Sequence, residues 1–272
     1  MQTQEEKGSV FRQMHERKTA FLIPNPWDVG TAVALAHLGF EALATTSAGF
    51  AFSAGKRDNQ VGREETLAHA GAIASATDLP VSADLAKGFG DDPDTVAETI
   101  RLAAATGLVG GSIEDSTGRR DDPIYEDALA VERVRAAAEV TRSLPFTFML
   151  TARCENYLVG RPDLTDTIKR LEAYQEAGAD VLYAPGITSK EDIAAVVSSV
   201  DRPVNVLVGL RGVELSLADL SALGVRRVSI GSGLYRAAFG GFLRAAREMH
   251  EHGTFSKIAD EPVSFGDISA LF

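Results

Sequence analysis

This chain is short of sulfur, of clustered positive charge and of long apolar runs. Cys154 is the one cysteine among 272 residues. It excludes an internal disulfide framework and any site that needs several thiolates. No apolar run approaches the ~20 residues that span a bilayer. Residues 1–17 are charged throughout and lack the apolar stretch of a secretory leader. The densest basic groups are only pairs, such as Arg119-Arg120 and Arg226-Arg227, in a chain with 27 Lys and Arg against 38 Asp and Glu. A phosphate backbone selects clustered cations, so neither nucleic acid nor membrane is an expected partner. A solvated acidic surface and a cytoplasmic location are the expectation.

What the chain does have is a repeating alternation. Short apolar runs bounded by Gly, Pro or Asp fall at 20–27, 42–47, 80–85, 109–114, 146–153, 180–185, 203–209 and 226–231, and each reads as a strand. Between them, apolar residues recur at a spacing of three and four over 29–38, 62–76, 94–106, 124–142, 166–177 and 189–199. Thr165 is placed to cap the helix that ends at Gly178, and Ser216 or Asp219 opens a short helix ending at Gly224. A last helix runs from about Leu234 to His250. Eight strand–helix units in series predict an α/β fold, a (β/α)8 TIM-type barrel occupying 1–272 as one domain. Residues 1–18 supply an extra N-terminal helix under the barrel, and 253–272 form a C-terminal tail. A doubly wound open sheet is the alternative, disfavoured by the missing G-x-G-x-x-G turn.

Barrel enzymes work at the C-terminal ends of their strands. There this sequence places Thr46 and Ser47, Asp84, Glu114, Arg153, Tyr183, Asn205 and Ser229. Asp84 and Glu114 each end an apolar strand, and two converging carboxylates repel unless a cation lies between them. Mg²⁺ takes one or two carboxylates plus water and substrate oxygens. Arg153 is suited to fork onto a substrate carboxylate. Against this stands a structural reading, in which Asp84 and Glu114 cap helices or pair with Lys87 and Arg153. Asp28 and Asp115 suit capping, Cys154 suits packing in the barrel wall, and the five histidines form no ligand pattern.

Six segments carry a resemblance: NPWD at 25–28, GKRDN at 55–59, PVSADLAKGFGDDP at 80–93, GGSIEDSTG at 110–118, TARCEN at 151–156 and EAGADVLYAPGI at 176–187. Together the chain resembles the isocitrate lyase/phosphoenolpyruvate mutase superfamily, in particular its small bacterial mutase-like and 2-methylisocitrate lyase-like members. The resemblance implies a Mg²⁺ site, with Mn²⁺ as a substitute, built on Asp84, Glu114 and Asp58. It implies that the loop amides of Thr46, Ser47 and Ala48 hold a substrate carboxylate, with Arg153 also touching substrate; Asn205, at the end of the seventh strand, is a further substrate-binding candidate. Arg153, Asp58 and Glu114 are then the catalytic set. It implies a last helix exchanged between subunits of a homo-oligomer, a dimer or tetramer.

Two departures stand out. Ala86 sits where the family commonly carries a second acid, and the loop Ser116–Asp122 lacks both the Lys-Lys-Cys-Gly-His of the lyases and the Lys and Asn-Ser of the phosphonomutases. The leading expectation is a Mg²⁺-dependent lyase that cleaves a C–C bond of a 2-oxo or 2-hydroxy acid through a stabilised enolate. Oxaloacetate-like decarboxylation falls within it. The alternatives are C–P chemistry, as a phosphonopyruvate hydrolase or phosphoenolpyruvate mutase, and a weakly active 2-oxo acid-binding barrel.

Overall fold

The apolar runs become eight short parallel strands, each followed by at least one helix, in a computed structural model that describes residues 2–209, 214–260 and 262–272. Met1, at the head of the expected N-terminal helix, and Glu261, in the tail, lie outside the described residues. The chain runs α1 (Gln4–Glu16), β1 (Phe21–Ile23), α2 (Val29–His37), β2 (Leu43–Ala44), α3 (Ser47–Ser53), α4 (Arg63–Ala76), β3 (Val81–Asp84) and α5 (Pro93–Ala104). It continues through β4 (Gly110–Glu114), α6 (Asp127–Ser143), β5 (Met149–Arg153), α7 (Leu164–Ala177), β6 (Val181–Tyr183), α8 (Lys190–Ser199) and β7 (Val204–Leu207). It ends with α9 (Leu217–Ala222), β8 (Arg227–Ser229), α10 (Gly233–His252), α11 (Ser256–Ala259) and α12 (Phe265–Ser269).

The strands lie in the order β1-β8-β7-β6-β5-β4-β3-β2. This is a nearly closed (β/α)8 barrel, as the alternation predicts, and the open doubly wound sheet is excluded. The strands are shorter than the apolar runs for local reasons. Pro24 and Pro26 offer no amide hydrogen, so the first run pairs only over three residues. Thr46 leaves β2 early because its hydroxyl accepts from the Gly49 amide and starts α3. That helix is absent from the sequence reading, which leaves 47–53 as loop. A second correction concerns α7: Asp163, not Thr165, caps it, accepting from the Asp166 amide. Gly178 closes the same helix in the left-handed conformation (φ 109°), where a side chain would meet Arg142 and Ala138.

Two apolar layers hold the barrel. The larger lies between the strands and the outer helices. The smaller plugs the N-terminal end, where Phe11 and Met14 of α1 pack on Phe21, Ile23, Val109, Met149 and Val181. β4 opens with Gly110, whose added Cβ would come within 3.0 Å of the Phe11 ring, so glycine admits the plug. Lys7 pins α1 from the side, its buried ammonium donating to the Thr77 carbonyl at 2.7 Å and that of Ala74 at 3.3 Å. With the bottom plugged, the two chambers lined by Asp84 lie toward the strand C-termini. No helix among the described residues is long and apolar enough to cross a membrane.

Candidate active site

The ladder sets four of the mouth residues level with one another. Glu114 pairs with Arg153, Arg153 with Tyr183, and Tyr183 with Asn205 across β4 to β7. Asp84 ends β3 one strand further on. All five are buried or nearly so. Arg153 is the hub: its Nε donates to Glu155 Oε1 at 2.7 Å, while Nη1 lies 3.4 Å from Asp84 and Nη2 3.4 Å from Glu114. The guanidinium stands over the Tyr183 ring, 5.2 Å from its centre.

The charges at this hub do not balance. Arg153 touches three carboxylates, and Asp58, on the loop between α3 and α4, adds a fourth that Glu114 feels. Burial pushes the Glu114 carboxyl well above its ordinary range; Arg153 pulls it down, and Glu155, Asp84 and Asp58 push it up again. Burial likewise raises Glu155, opposed by Arg153. Asp58 is raised by desolvation and then by Asp84, with Ser47 and Arg153 drawing it down. Burial drives the Tyr183 phenol up to about 12, against Arg153. Excess negative charge held out of water is what a divalent cation would offset. Among the described residues no three His, Cys, Asp or Glu side chains already close into a metal-holding group.

Asp84 is also anchored from the backbone. It accepts from the Ser47 amide at 3.1 Å and from the Ala86 amide at 3.2 Å, while the Thr45 hydroxyl accepts from its own amide at 2.9 Å. The Ser47 amide, which the resemblance assigns to a substrate carboxylate, is therefore on Asp84. The Asn205 amide is engaged as well: Oδ1 accepts from Arg227 at 2.9 Å and Nδ2 donates to Ser229 at 3.0 Å. Two chambers meet at Asp84. The outer, about 220 Å³, is lined by Ser47, Phe50, Lys87, Phe89, Glu114 and Ser116 among others; the inner, about 60 Å³, reaches down the barrel axis past Arg153 and Tyr183.

The structural reading of the acids is half realised. Both Asp84 and Glu114 pair with Arg153, but Lys87 turns to Asp91 at 2.6 Å and to the Thr117 carbonyl. Asp28 caps α2 as expected, accepting from the Thr31 amide at 2.7 Å. Asp115 does not cap a helix. It is buried between strands and α7, accepting from Tyr174 Oη at 2.6 Å and the Glu155 amide at 2.8 Å, with Arg170 at 3.4 Å. Cys154 packs in the wall as expected, and burial followed by Asp115 pushes its thiol well up, away from nucleophilic use. Ala86 has φ 47°, a left-handed turn that brings its carbonyl onto the Glu114 amide at 3.0 Å.

Sequence reasoning passed over Glu155 and Arg227. Glu155 lies in the TARCEN segment two residues after Arg153, a spacing that returns its side chain to the same face of an extended chain. Arg227 starts β8, and its inward direction shows only once β8 is placed between β7 and β1. The loop after β4 folds into a hairpin. Ser116 bridges Ile124, Arg119 joins Asp91 to Asp122, and Tyr125 Oη donates to Asp91 at 2.6 Å.

Comparison with known proteins agrees with this architecture. The family model described as phosphoenolpyruvate phosphomutase matches residues 11–250. An uncharacterised protein of Mycobacterium tuberculosis is 34% identical over 243 residues, 89% of each chain. The 2,3-dimethylmalate lyase of Eubacterium barkeri is 29% identical over 230 residues, 80% of this chain and 77% of its own. A solved Burkholderia cenocepacia structure, described no further than lyase/mutase, is 60% identical with a TM-score of 0.95, covering 98% of this chain and 95% of that one. By sequence and by barrel alike, the chain belongs to the phosphoenolpyruvate phosphomutase family, within the isocitrate lyase/phosphoenolpyruvate mutase superfamily.

Proposed function

We propose that this protein is a Mg²⁺-dependent lyase that breaks a carbon–carbon bond in a small 2-oxo or 2-hydroxy carboxylic acid. The observation that carries the reading is the hub itself: a single buried guanidinium shared by Asp84, Glu114 and Glu155 beside an open chamber. The all-oxygen donor set fits a hard cation, which needs few protein carboxylates because water and substrate complete its shell. Asp84 would hold it, with Glu114 and Asp58 alongside. When bound, the ion supplies positive charge against the oxygen that becomes anionic as the bond breaks.

The chain's own groups do the rest. Nε of Arg153 stays on Glu155, which fixes the plane of the guanidinium. Its two terminal nitrogens, now 3.4 Å from their acids, are the pair available to a substrate carboxylate. The Ser47 amide at the start of α3 is held by Asp84, so of the α3 amides it is that of Ala48 that we assign to an anionic substrate group. The hairpin 116–124 stands over the outer chamber and limits water there.

A second reading is C–P chemistry on phosphonopyruvate, favoured by the description of the family model. Incubating the protein and Mg²⁺ with 2-oxo and 2-hydroxy acids and phosphonopyruvate separates these. Release of a 2-oxo acid or its fragment from carbon substrates supports the lyase. Phosphate or phosphoenolpyruvate from phosphonopyruvate supports the second reading. Binding without turnover on every compound overturns both in favour of a weakly active binding barrel.

A further inference from the structure

Below the hub, the barrel interior contains a guanidinium with no acid to neutralise it. Arg227 is 5% exposed. Its Nε donates to Asn205 Oδ1 at 2.9 Å and its Nη2 to Thr151 Oγ1 at 3.0 Å, both neutral acceptors. Nη1 has no hydrogen-bond partner among the described residues. Arg227 also enters no ion pair among them, whereas the chain satisfies its other buried arginines fully. Arg133 donates to the carbonyls of Lys87, Gly90 and Asp91. Arg170 meets Asp115, Asp127 and Asp166. A charge taken out of water without an opposite partner is strongly unfavourable, and here burial draws the guanidinium down to about 10.

Arg227 lines the inner chamber of about 60 Å³, several times the space one water needs. The other walls mix small polar groups, Asn25, Thr45, Ser82, Ser112 and Ser229, with apolar ones such as Ile23 and Ala83. Underneath lies His15, which burial and Arg227 together keep neutral, so nothing anionic approaches from below. Above, Asp84 is already engaged by Arg153 and by two backbone amides. A cation would be repelled from the Arg227 end of this chamber, and a neutral ligand would leave Arg227 unpaired. A small anion that accepts several hydrogen bonds satisfies the guanidinium and the hydroxyls at once.

We infer that the inner chamber is a binding site for a small monocarboxylate of formate or acetate size, anchored by the guanidinium of Arg227 and entered from the mouth past Arg153. The site stands whatever reaction the mouth performs. It has the size and charge preference to receive the smaller acid fragment of a cleaved substrate, and equally to take up the same acids from solution.

The test uses the whole protein and needs no turnover. Crystals soaked in bromide are expected to show anomalous signal in the chamber beside the Arg227 guanidinium, and formate is expected to displace it. In solution, formate at constant ionic strength is expected to raise the wild-type Tm saturably, with at least tenfold weaker apparent affinity in Arg227→Lys and no response in Arg227→Met. Water alone in the chamber, or an equal formate response in Arg227→Met, overturns the site. Bromide that formate does not displace overturns its assignment to carboxylates. If Arg227→Met fails to fold, the wild-type soaks and Arg227→Lys decide the matter. A free fragment bound here but absent from any turnover assay leaves this inference intact and counts only against the proposed lyase.

Discussion

At the scale of single residues, charge imbalance at the mouth explains more than any one contact. Arg153 has three carboxylates within reach, and Asp84 is the one fixed by two backbone amides. Asp84→Ala is therefore expected to lower kcat/KM by at least about 10³, on the scale of removing a main electrostatic stabiliser. It is also expected to abolish the Mg²⁺ dependence of any residual rate; an unchanged Mg²⁺ response measured by steady-state kinetics would show that the cation sits elsewhere. His15 gives a prediction about stability. Its Nδ1 lies 2.7 Å from the Phe11 carbonyl, and burial lowers its pKa from 6.5 to about 3. Between those values the unfolded chain binds a proton that the folded chain does not. The stability it preserves is complete above pH 6.5 and is lost as pH falls toward 3, by an amount on the order of a few kcal/mol. The buried acids Glu114, Asp115 and Glu155 have raised values and work in the opposite sense. The measurement is thus a difference: the fall in stability between pH 7 and 5 is expected to be shallower in His15→Phe than in wild type. Equal slopes would mean that His15 is not buried neutral.

At the scale of elements, the helices follow from capping chemistry. Asp163 holds the first turn of α7 by accepting from the Asp166 amide. Asp163→Ala is expected to cost about 1 kcal/mol by urea unfolding, whereas Thr165→Ala is expected to change stability by less than half of that. The order of strands and helices was legible because apolar periodicity depends on neighbours along the chain. So was the position of Asp84, Glu114 and Arg153 at strand ends. α3 was not legible, because seven residues of small and aromatic type carry no distinct period and only Thr46 marks its start. Nor was the role of Asp115: whether an acid after a strand caps a helix or meets Tyr174 and Arg170 depends on how α7 packs, which is a long-range fact. Glu155 has no role legible in the sequence because it stands beyond the last paired residue of β5, where the ladder no longer fixes a side chain's direction.

At the scale of the whole molecule, the polar and apolar surfaces are unevenly placed. α10 buries Tyr235 but leaves Phe239, Phe242 and Met249 exposed, and the tail adds Phe255, Ile258, Phe265 and Phe272. Exposed aromatic groups on one helix favour association with another copy, in line with the expected exchange of the last helix. The protein is expected to sediment as a dimer or larger, and Phe242→Glu to shift it toward monomer. A monomeric wild type at micromolar concentration would remove the basis for an exchanged helix.

The barrel has a seam whose consequence is kinetic. β1 and β2 share no ladder; the Ala44 amide donates to the Pro24 carbonyl at 3.1 Å, and Asn25 bridges the gap. Its Nδ2 donates to the Thr45 carbonyl at 3.1 Å, and its Oδ1 accepts from the amides of Ile230 and Gly231 at 2.9 Å. One side chain thus stitches β1, β2 and β8 where backbone pairing is thinnest. In hydrogen–deuterium exchange, the amides of Ala44 and Thr45 are expected to exchange before those of β4 and β5. Asn25→Ala should accelerate them selectively. The barrel would then breathe along the side that carries Ser47 and Asp84, so the rate of that opening bounds how fast the mouth can rearrange.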